Sequence, residues 1–331
     1  MEEQIKKPAS ELRFNLVSKD WVVIATGRAR RPETFATQQR EKREALEQEC
    51  PFCNLDSQEK PVLEYKDEKG EWEITVVPNK FPAFSFSRSL YERTEGLYSL
   101  MDGVGFHEVV ITRDHKKSLA ELPVLQIKKV IDAYQERYLD LANEKFVNYI
   151  AIFHNHGHEA GASVVHPHSQ IIAMPLIDPD LRRSINGSHA FFEKHNQCVN
   201  CKMIEADLKD GQRIIFTNEK FVVLAPFASR VAFEVRIYPR EHHAYFERIK
   251  EVDKVLLAQV FREALSRIFK GMNDPAYNFF LHTAPSDGKD YNHYHWHFEI
   301  LPKTSTWAGF ELGTGIEIST VQPEEAARYL R

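Results

Sequence analysis

The chain has 331 residues, 43% of them apolar and 27% charged, and a net charge of −5. That length admits one large domain or two of ordinary size, and the composition is that of a soluble folded protein. The acidic balance excludes a surface that tracks polyphosphate in general, so an anionic ligand must be held by a few local basic groups.

No run reaches the roughly 20 apolar residues of a membrane span, and the opening MEEQIKKPASELRF lacks the apolar core of a secretion signal. A cytoplasmic location is therefore expected.

In chain order the first informative feature is CPFC, with Cys50 and Cys53; CVNC, with Cys198 and Cys201, holds the other two of the four cysteines. Paired cysteines at this spacing in a reducing compartment read as zinc half-sites or as a redox motif. A redox pair belongs at a strand-to-helix turn of a thioredoxin-like unit. Both pairs here have polar, loop-like surroundings, which favours zinc.

After CPFC comes a strand-like run, WEITVVP (72–78), then GFHEVVITRDH ending at His115. A helical stretch over 122–146 places Leu125, Ile127, Val130, Ile131, Tyr134 and Tyr138 near one face. A β-like run, FVNYIAIF (146–153), leads to the His-Pro-His cluster at 166–168. The segment 180–197, with DPDLRRSINGS, reads as a loop-rich join on its Pro, Asn and Gly.

The order then repeats. CVNC is followed by FVVLAPF (221–227) and by VAFEVRIYPREH ending at His242. A second helix over 252–272 carries Val255, Leu256, Val260, Phe261, Leu265 and Ile268. AYNFFLH (276–282) then leads to HYHWH (293–297). VITRDH and IYPREH align without a gap, and the spacings His115–His166 (51) and His242–His295 (53) agree. The chain reads as a tandem duplication, 1–185 and 186–331, each half α+β with a mainly antiparallel sheet and one long helix.

Tetrahedral zinc takes four N or S ligands. The repeat nominates His115 and a member of the His166/His168 pair to join Cys50 and Cys53. His242 and His295 hold the matching places beside Cys198 and Cys201. His107, His154, His156, His158 and His195 are expected to be solvated or simply hydrogen-bonded. Residues two apart in an extended segment face the same side, and Pro167 restricts the two flanking rings. A neutral imidazole with one nitrogen tied to a carbonyl keeps the other as a nucleophile, and the Gln170 amide can meet an anionic oxygen nearby. Gly157, Gly161, Ala162 and Ser163 permit close backbone approach to a ligand, as in phosphate-binding loops.

GASVVHPHSQ (161–170) resembles the active-site segment of the galactose-1-phosphate uridylyltransferases, a branch of the histidine-triad superfamily. The resemblance runs through GRARRP (27–32), CPFC, VVPNKFPAF (76–84), NHGHEAGASVVHPHSQ (155–170) and GFELGTG (309–315), nearly the whole chain. It implies two histidine-triad-like repeats and ping-pong uridylyl transfer between UDP-glucose and a hexose 1-phosphate such as galactose 1-phosphate. It implies His168 as the nucleophile, Gln170 beside it, and His166 as zinc ligand with Cys50, Cys53 and His115. Substrate contacts would fall on Arg28, Arg31, Asn79, Asn155, Gly161 and Ser163. Phe310 and Glu311 match a segment that reaches a partner subunit, which implies a homodimer.

Two departures are visible. Some relatives build a second metal site from one Glu and three His, whereas CVNC favours a second zinc, with His282 and His297 as rival ligands. A lysine found in some relatives just before GFE is replaced by Ser305 and Thr306, and GFELGTG also resembles ADP-glucose phosphorylases, which use inorganic phosphate.

Overall fold

The computed structural model describes residues 10–28, 32–36, 46–87 and 89–331. The first half comprises β1 (Glu11–Phe14), β2 (Trp21–Ile24), α1 (Pro32–Ala36), β3 (Leu63–Lys66) and β4 (Trp72–Pro78). There follow β5 (Glu92–Glu95), β6 (Tyr98–Met101), β7 (Phe106–Thr112), α2 (Val124–Leu141), β8 (Tyr149–His156) and β9 (His168–Met174). Two helices, α3 (Pro179–His195) and α4 (Val199–Asp210), lead to β10 (Ile214–Thr217), β11 (Phe221–Leu224), β12 (Val235–Pro239) and α5 (Glu251–Gly271). The chain closes with β13 (Tyr277–His282), β14 (His297–Pro302), α6 (Gly309–Thr314), β15 (Ile318–Ser319) and α7 (Pro323–Leu330).

One sheet holds ten strands in the order β10-β11-β12-β14-β13-β8-β9-β7-β4-β3. Every pairing in it is antiparallel. The protein is thus α+β with a mainly antiparallel sheet. Reading outward from the β8–β13 junction, each half presents the same succession. Its last two strands lie innermost, in the orders β8-β9 and β13-β14, and β7-β4-β3 answers β12-β11-β10.

Alternation along the strands gives the sheet two unlike faces. Ile150, Ile152, Ile171, Ala173, Ile237, Phe279, Leu281, Phe298 and Ile300 join one core beneath α2 and α5. On α2 the buried residues include Ile127, Val130, Ile131, Tyr134 and Tyr138, as the periodicity predicts; Leu125 is exposed. It lies two residues before Ile127, about 160° around the helix, and so faces away from the sheet. On α5 the stripe runs Leu257, Val260, Phe261, Ala264, Leu265 and Ile268. It therefore starts at Leu257, and Val255 and Leu256 are only partly buried.

The stretch expected to be a loop at 180–197 is mostly helix. The Asp178 carboxylate accepts from the amides of Asp180 and Leu181, and Pro179 follows at the first helical position, a strong helix start. Gly187 serves packing, because a Cβ there would lie 1.9 Å from the Val17 carbonyl oxygen. The 185/186 division falls inside this helix, and the sheet is continuous across β8 and β13. Among the described residues no helix is long and apolar enough to cross a membrane.

Candidate active site and metal centres

The face of the sheet away from α2 and α5 carries the polar chemistry. On β9 it presents His168, Gln170 and Ile172, while Ser169 on the opposite side accepts a hydrogen bond from the Tyr134 hydroxyl of α2 at 2.5 Å. Just before β9, His166 is wholly buried at the edge of the sheet, and its Nε2 donates to the carbonyl of Thr112, the last residue of β7, at 2.6 Å. That bond leaves Nδ1 as a lone pair. It faces Cys50 Sγ at 3.6 Å, Cys53 Sγ at 3.4 Å and His115 Nδ1 at 3.3 Å.

These separations are edges of a ligand tetrahedron. Zinc–ligand bond lengths imply S···N edges of about 3.5 Å and N···N edges of about 3.3 Å. All four donor atoms lie within 4.8 Å of one another. Cys50, Cys53, His115 and His166 therefore fit a divalent metal of zinc's preference.

The second half builds the same arrangement. His295 Nε2 donates to the carbonyl of Pro239, the last residue of β12, at 3.0 Å, and His242 Nε2 to that of Asn292 at 2.6 Å. Their Nδ1 atoms face the thiols: Cys198 Sγ–His295 at 3.7 Å, Cys201 Sγ–His295 at 3.4 Å and Cys201 Sγ–His242 at 3.5 Å. Cys198 is the N-cap residue of α4, without a side-chain cap bond, and Cys201 lies in its first turn. The cysteine pair is met by His242 and His295, and not by the rival ligands His282 and His297. Those two lie with Glu299 in a separate group, whose carboxylate is paired with Arg236 at 2.8 Å and Arg230 at 3.5 Å.

His168 opens β9. Its Nδ1 donates to the carbonyl of His166 at 2.9 Å, so Nε2 keeps the free lone pair. The Phe52 ring packs edge-on against it, 4.9 Å between centroids. Burial holds this imidazole below its ordinary value, against the opposing bond to the His166 carbonyl. Gln170, on the same face, accepts from His107 Nε2 at 2.8 Å, and Asn79 Nδ2 lies 3.1 Å from that same nitrogen.

Asn155 follows His154 on β8, and its Oδ1 accepts from Asn278 Nδ2 of β13, which also donates to the Ala160 carbonyl. The second half thereby props the loop of the first. That loop turns tightly, with Gly157 and Gly161 at φ 84° and 90°. Asn155, Gly157, Ala162 and Ser163 line a cleft of about 670 Å³ together with His115, His154 and His166.

Arg31 lies outside the described residues, as does the side chain of Arg28. Phe310 and Glu311 lie on α6, where Glu311 accepts from the Ala308 amide. No hydrogen bond or ring contact joins them to His168 or Gln170 among the described residues. Sequence reasoning missed His107, Phe52 and Asn278. Alternation in FHEVVIT puts His107 on one side with Val109 and Ile111, and the pairing of β7 with β9 makes that the side of Gln170 and His168.

The model of the galactose-1-phosphate uridyl transferase N-terminal domain matches residues 1–177, and that of a domain of unknown function matches 98–330. An ADP-glucose phosphorylase of Arabidopsis thaliana is 32% identical over 99% of this chain and 94% of its own. A galactose-1-phosphate uridylyltransferase of Thermotoga maritima is 30% identical over 97% and 98%. Among solved structures, an Arabidopsis thaliana ADP-glucose phosphorylase with bound ADP-glucose superposes with a TM-score of 0.81 at 30% identity, covering 97% of this chain and 98% of that one. A uridylyltransferase structure gives 0.74 at 27% identity, covering 97% of each chain. With a family model spanning more than half its length and full-length relatives at this identity, the chain belongs to the galactose-1-phosphate uridylyltransferase family.

Proposed function

We propose that the protein transfers a nucleoside monophosphate from a nucleoside-diphosphate glucose to a phosphate acceptor through a covalent bond to His168. The observation that carries this is the anchored ring, with Nδ1 bound to the His166 carbonyl and Nε2 free on the face it shares with Gln170. The Nε2 lone pair attacks the α-phosphorus, the bond from phosphorus to the sugar-phosphate oxygen breaks, and glucose 1-phosphate leaves. An acceptor oxygen then attacks the same phosphorus, the P–N bond breaks, and the imidazole is restored. Two anionic substrates thus bind in turn and never together. The Gln170 amide meets the charge that develops on the phosphoryl oxygens. Asn79, Asn155, Gly161 and Ser163 hold the nucleotide and its phosphates, with Arg28 and Arg31 neutralising them.

Two zinc ions per chain complete the account, each in a closed four-ligand set of the structural kind. The first, on Cys50, Cys53, His115 and His166, fixes the segment that carries His168. The second, on Cys198, Cys201, His242 and His295, does the same for the second half. The halves 1–185 and 186–331 are read as a tandem duplication of one histidine-triad-like unit. Phe310 and Glu311 would complete the site of a second copy in a homodimer.

The family's reaction, UDP-glucose with galactose 1-phosphate, is the first reading of the substrates. A second, ADP-glucose with inorganic phosphate, is favoured by the higher TM-score to the ADP-glucose phosphorylase and by Ser305 and Thr306 before GFE. A panel crossing UDP-glucose and ADP-glucose with galactose 1-phosphate and phosphate tests both. Turnover with none of the four combinations would end the proposal.

A further inference from the structure

The Gln170 amide is useful to an anionic oxygen only if its NH₂ end, and not its carbonyl, faces the phosphorus. Nothing in a lone glutamine makes that choice, and the structure supplies a group that does. The backbone amide of Ala83, just after β4, donates to His107 Nδ1 at 3.1 Å. That nitrogen must therefore be the lone-pair nitrogen of the ring. Burial holds the His107 imidazole below its ordinary value, against the bond to Gln170, so the ring is neutral at pH 7 and its single proton sits on Nε2.

A protonated Nε2 needs an acceptor. Of its two amide neighbours, Asn79 already uses Oδ1 to accept from the Phe81 amide at 2.9 Å, and so turns its NH₂ towards His107. Two donors cannot bond each other. The acceptor is Gln170 Oε1, at 2.8 Å. Register makes the contact local: β7 pairs His107 with Ile172 and Val109 with Gln170, so His107 and Gln170 are diagonal neighbours on one face.

We propose that His107 is a positioning residue, a one-way adaptor between the Ala83 backbone amide and Gln170, which fixes the Gln170 NH₂ group towards the phosphoryl oxygens. The proposal rests on the reading of His168 as nucleophile and Gln170 as its neighbouring donor. Its chemical content is specific. The backbone proton of Ala83 sets the tautomer, the tautomer sets the amide, and the amide presents a donor to the transferring phosphate.

The test is the single-turnover rate of labelling His168, using UDP-glucose or ADP-glucose carrying label in the α-phosphate, on the full-length zinc-loaded chain. His107→Leu should slow labelling about tenfold at saturating sugar nucleotide, less than the roughly 10²-fold expected for losing a donor outright. The concentration giving half-maximal rate should change much less. His107→Gln, whose amide can donate from the place of Nε2, should recover most of the rate. In a Gln170→Ala background, His107→Leu should slow labelling no further, because its effect passes through Gln170.

An equal loss from His107→Leu in both backgrounds would overturn the proposal. So would a His107→Gln variant as slow as His107→Leu with an unchanged melting temperature, or wild-type labelling by Gln170→Ala. Failure of the underlying reading shows separately, as label that survives His168→Gly with the His107 residue intact.

Discussion

On the open face of the sheet the two halves place a histidine at the same point and surround it differently. His168 and His297 each open a strand, and each donates Nδ1 to the carbonyl two residues back, at 2.9 and 3.2 Å. Register then matches Gln170 with Glu299 and Val109 with Arg236, and two residues earlier His107 with Glu234. Asn155 has its counterpart in His282, which pairs with His297. In the first half these positions leave a neutral amide oriented by a neutral ring. In the second they hold an ion network: Arg236 bonds Glu234 and Glu299, each at 2.8 Å, and Arg230 bonds Glu317 at 2.9 Å. Tyr238 and His282 stack on either side of the match, with ring centroids 4.7 and 4.9 Å from that of His297. The Cys₂His₂ grouping is common to both halves, and the surroundings to which we assign the chemistry are found in one. Where the first half has the neutral Gln170 amide, the second has a buried carboxylate, Glu299, tied to Arg236 and Arg230.

The largest contrast should come from removing equivalent metal ligands. Cys53→Ser should lower zinc content by one per chain and abolish labelling of His168, since Cys53 Sγ lies against the Nδ1 atoms of both His115 and His166. Cys201→Ser should also lower zinc by one, yet leave labelling by the folded fraction within a few-fold. Atomic emission on the purified variants, paired with the labelling assay, would show whether the two centres differ in this way.

Next in size is the ion network. Arg236→Met removes the guanidinium shared by Glu234 and Glu299, which are 0% and 3% exposed, leaving them their bonds to Arg230, and should cost about 3 kcal/mol in urea unfolding. Its labelling rate, corrected for folded fraction, should be unchanged. Gln170→Glu puts the second half's carboxylate into the first half and should slow labelling about 10²-fold, as for loss of an oxyanion donor. Smallest is His297→Phe. Phe leaves the His295 carbonyl without its donor, so stability should fall by about 1–3 kcal/mol, with no change in labelling. A tenfold slowing by His297→Phe would erase the contrast between the halves.

Much of this was legible in the sequence because it is periodic or repeated. The stripes of α2 and α5 follow from 3.6-residue spacing; the alignment of VITRDH with IYPREH nominated His242 for the second cysteine pair, and the matching spacings of 51 and 53 residues nominated His295. The helix at 179–195 was hidden by reading Pro179 and Gly187 as breakers. Asp-Pro is as much a helix start as a turn, and Gly187 answers to Val17, more than 160 residues away. Leu125 lies two residues before Ile127, about 160° around the helix, and so on the face opposite the one it was assigned. His107 and Asn278 escaped because their meaning lies in cross-strand register: His107 matters through Gln170, and Asn278 through Asn155 and the Ala160 carbonyl. Glu299 and Arg236 likewise read as ordinary strand charges until they are set opposite Gln170 and Val109.

The most direct test of the account is the stoichiometry and position of the covalent nucleotide. The zinc-loaded protein, treated with α-phosphate-labelled UDP-glucose or ADP-glucose without acceptor, then digested and mapped under alkaline conditions, should carry one nucleotidyl group per chain, on His168. Label on His297, or two groups per chain, would contradict it.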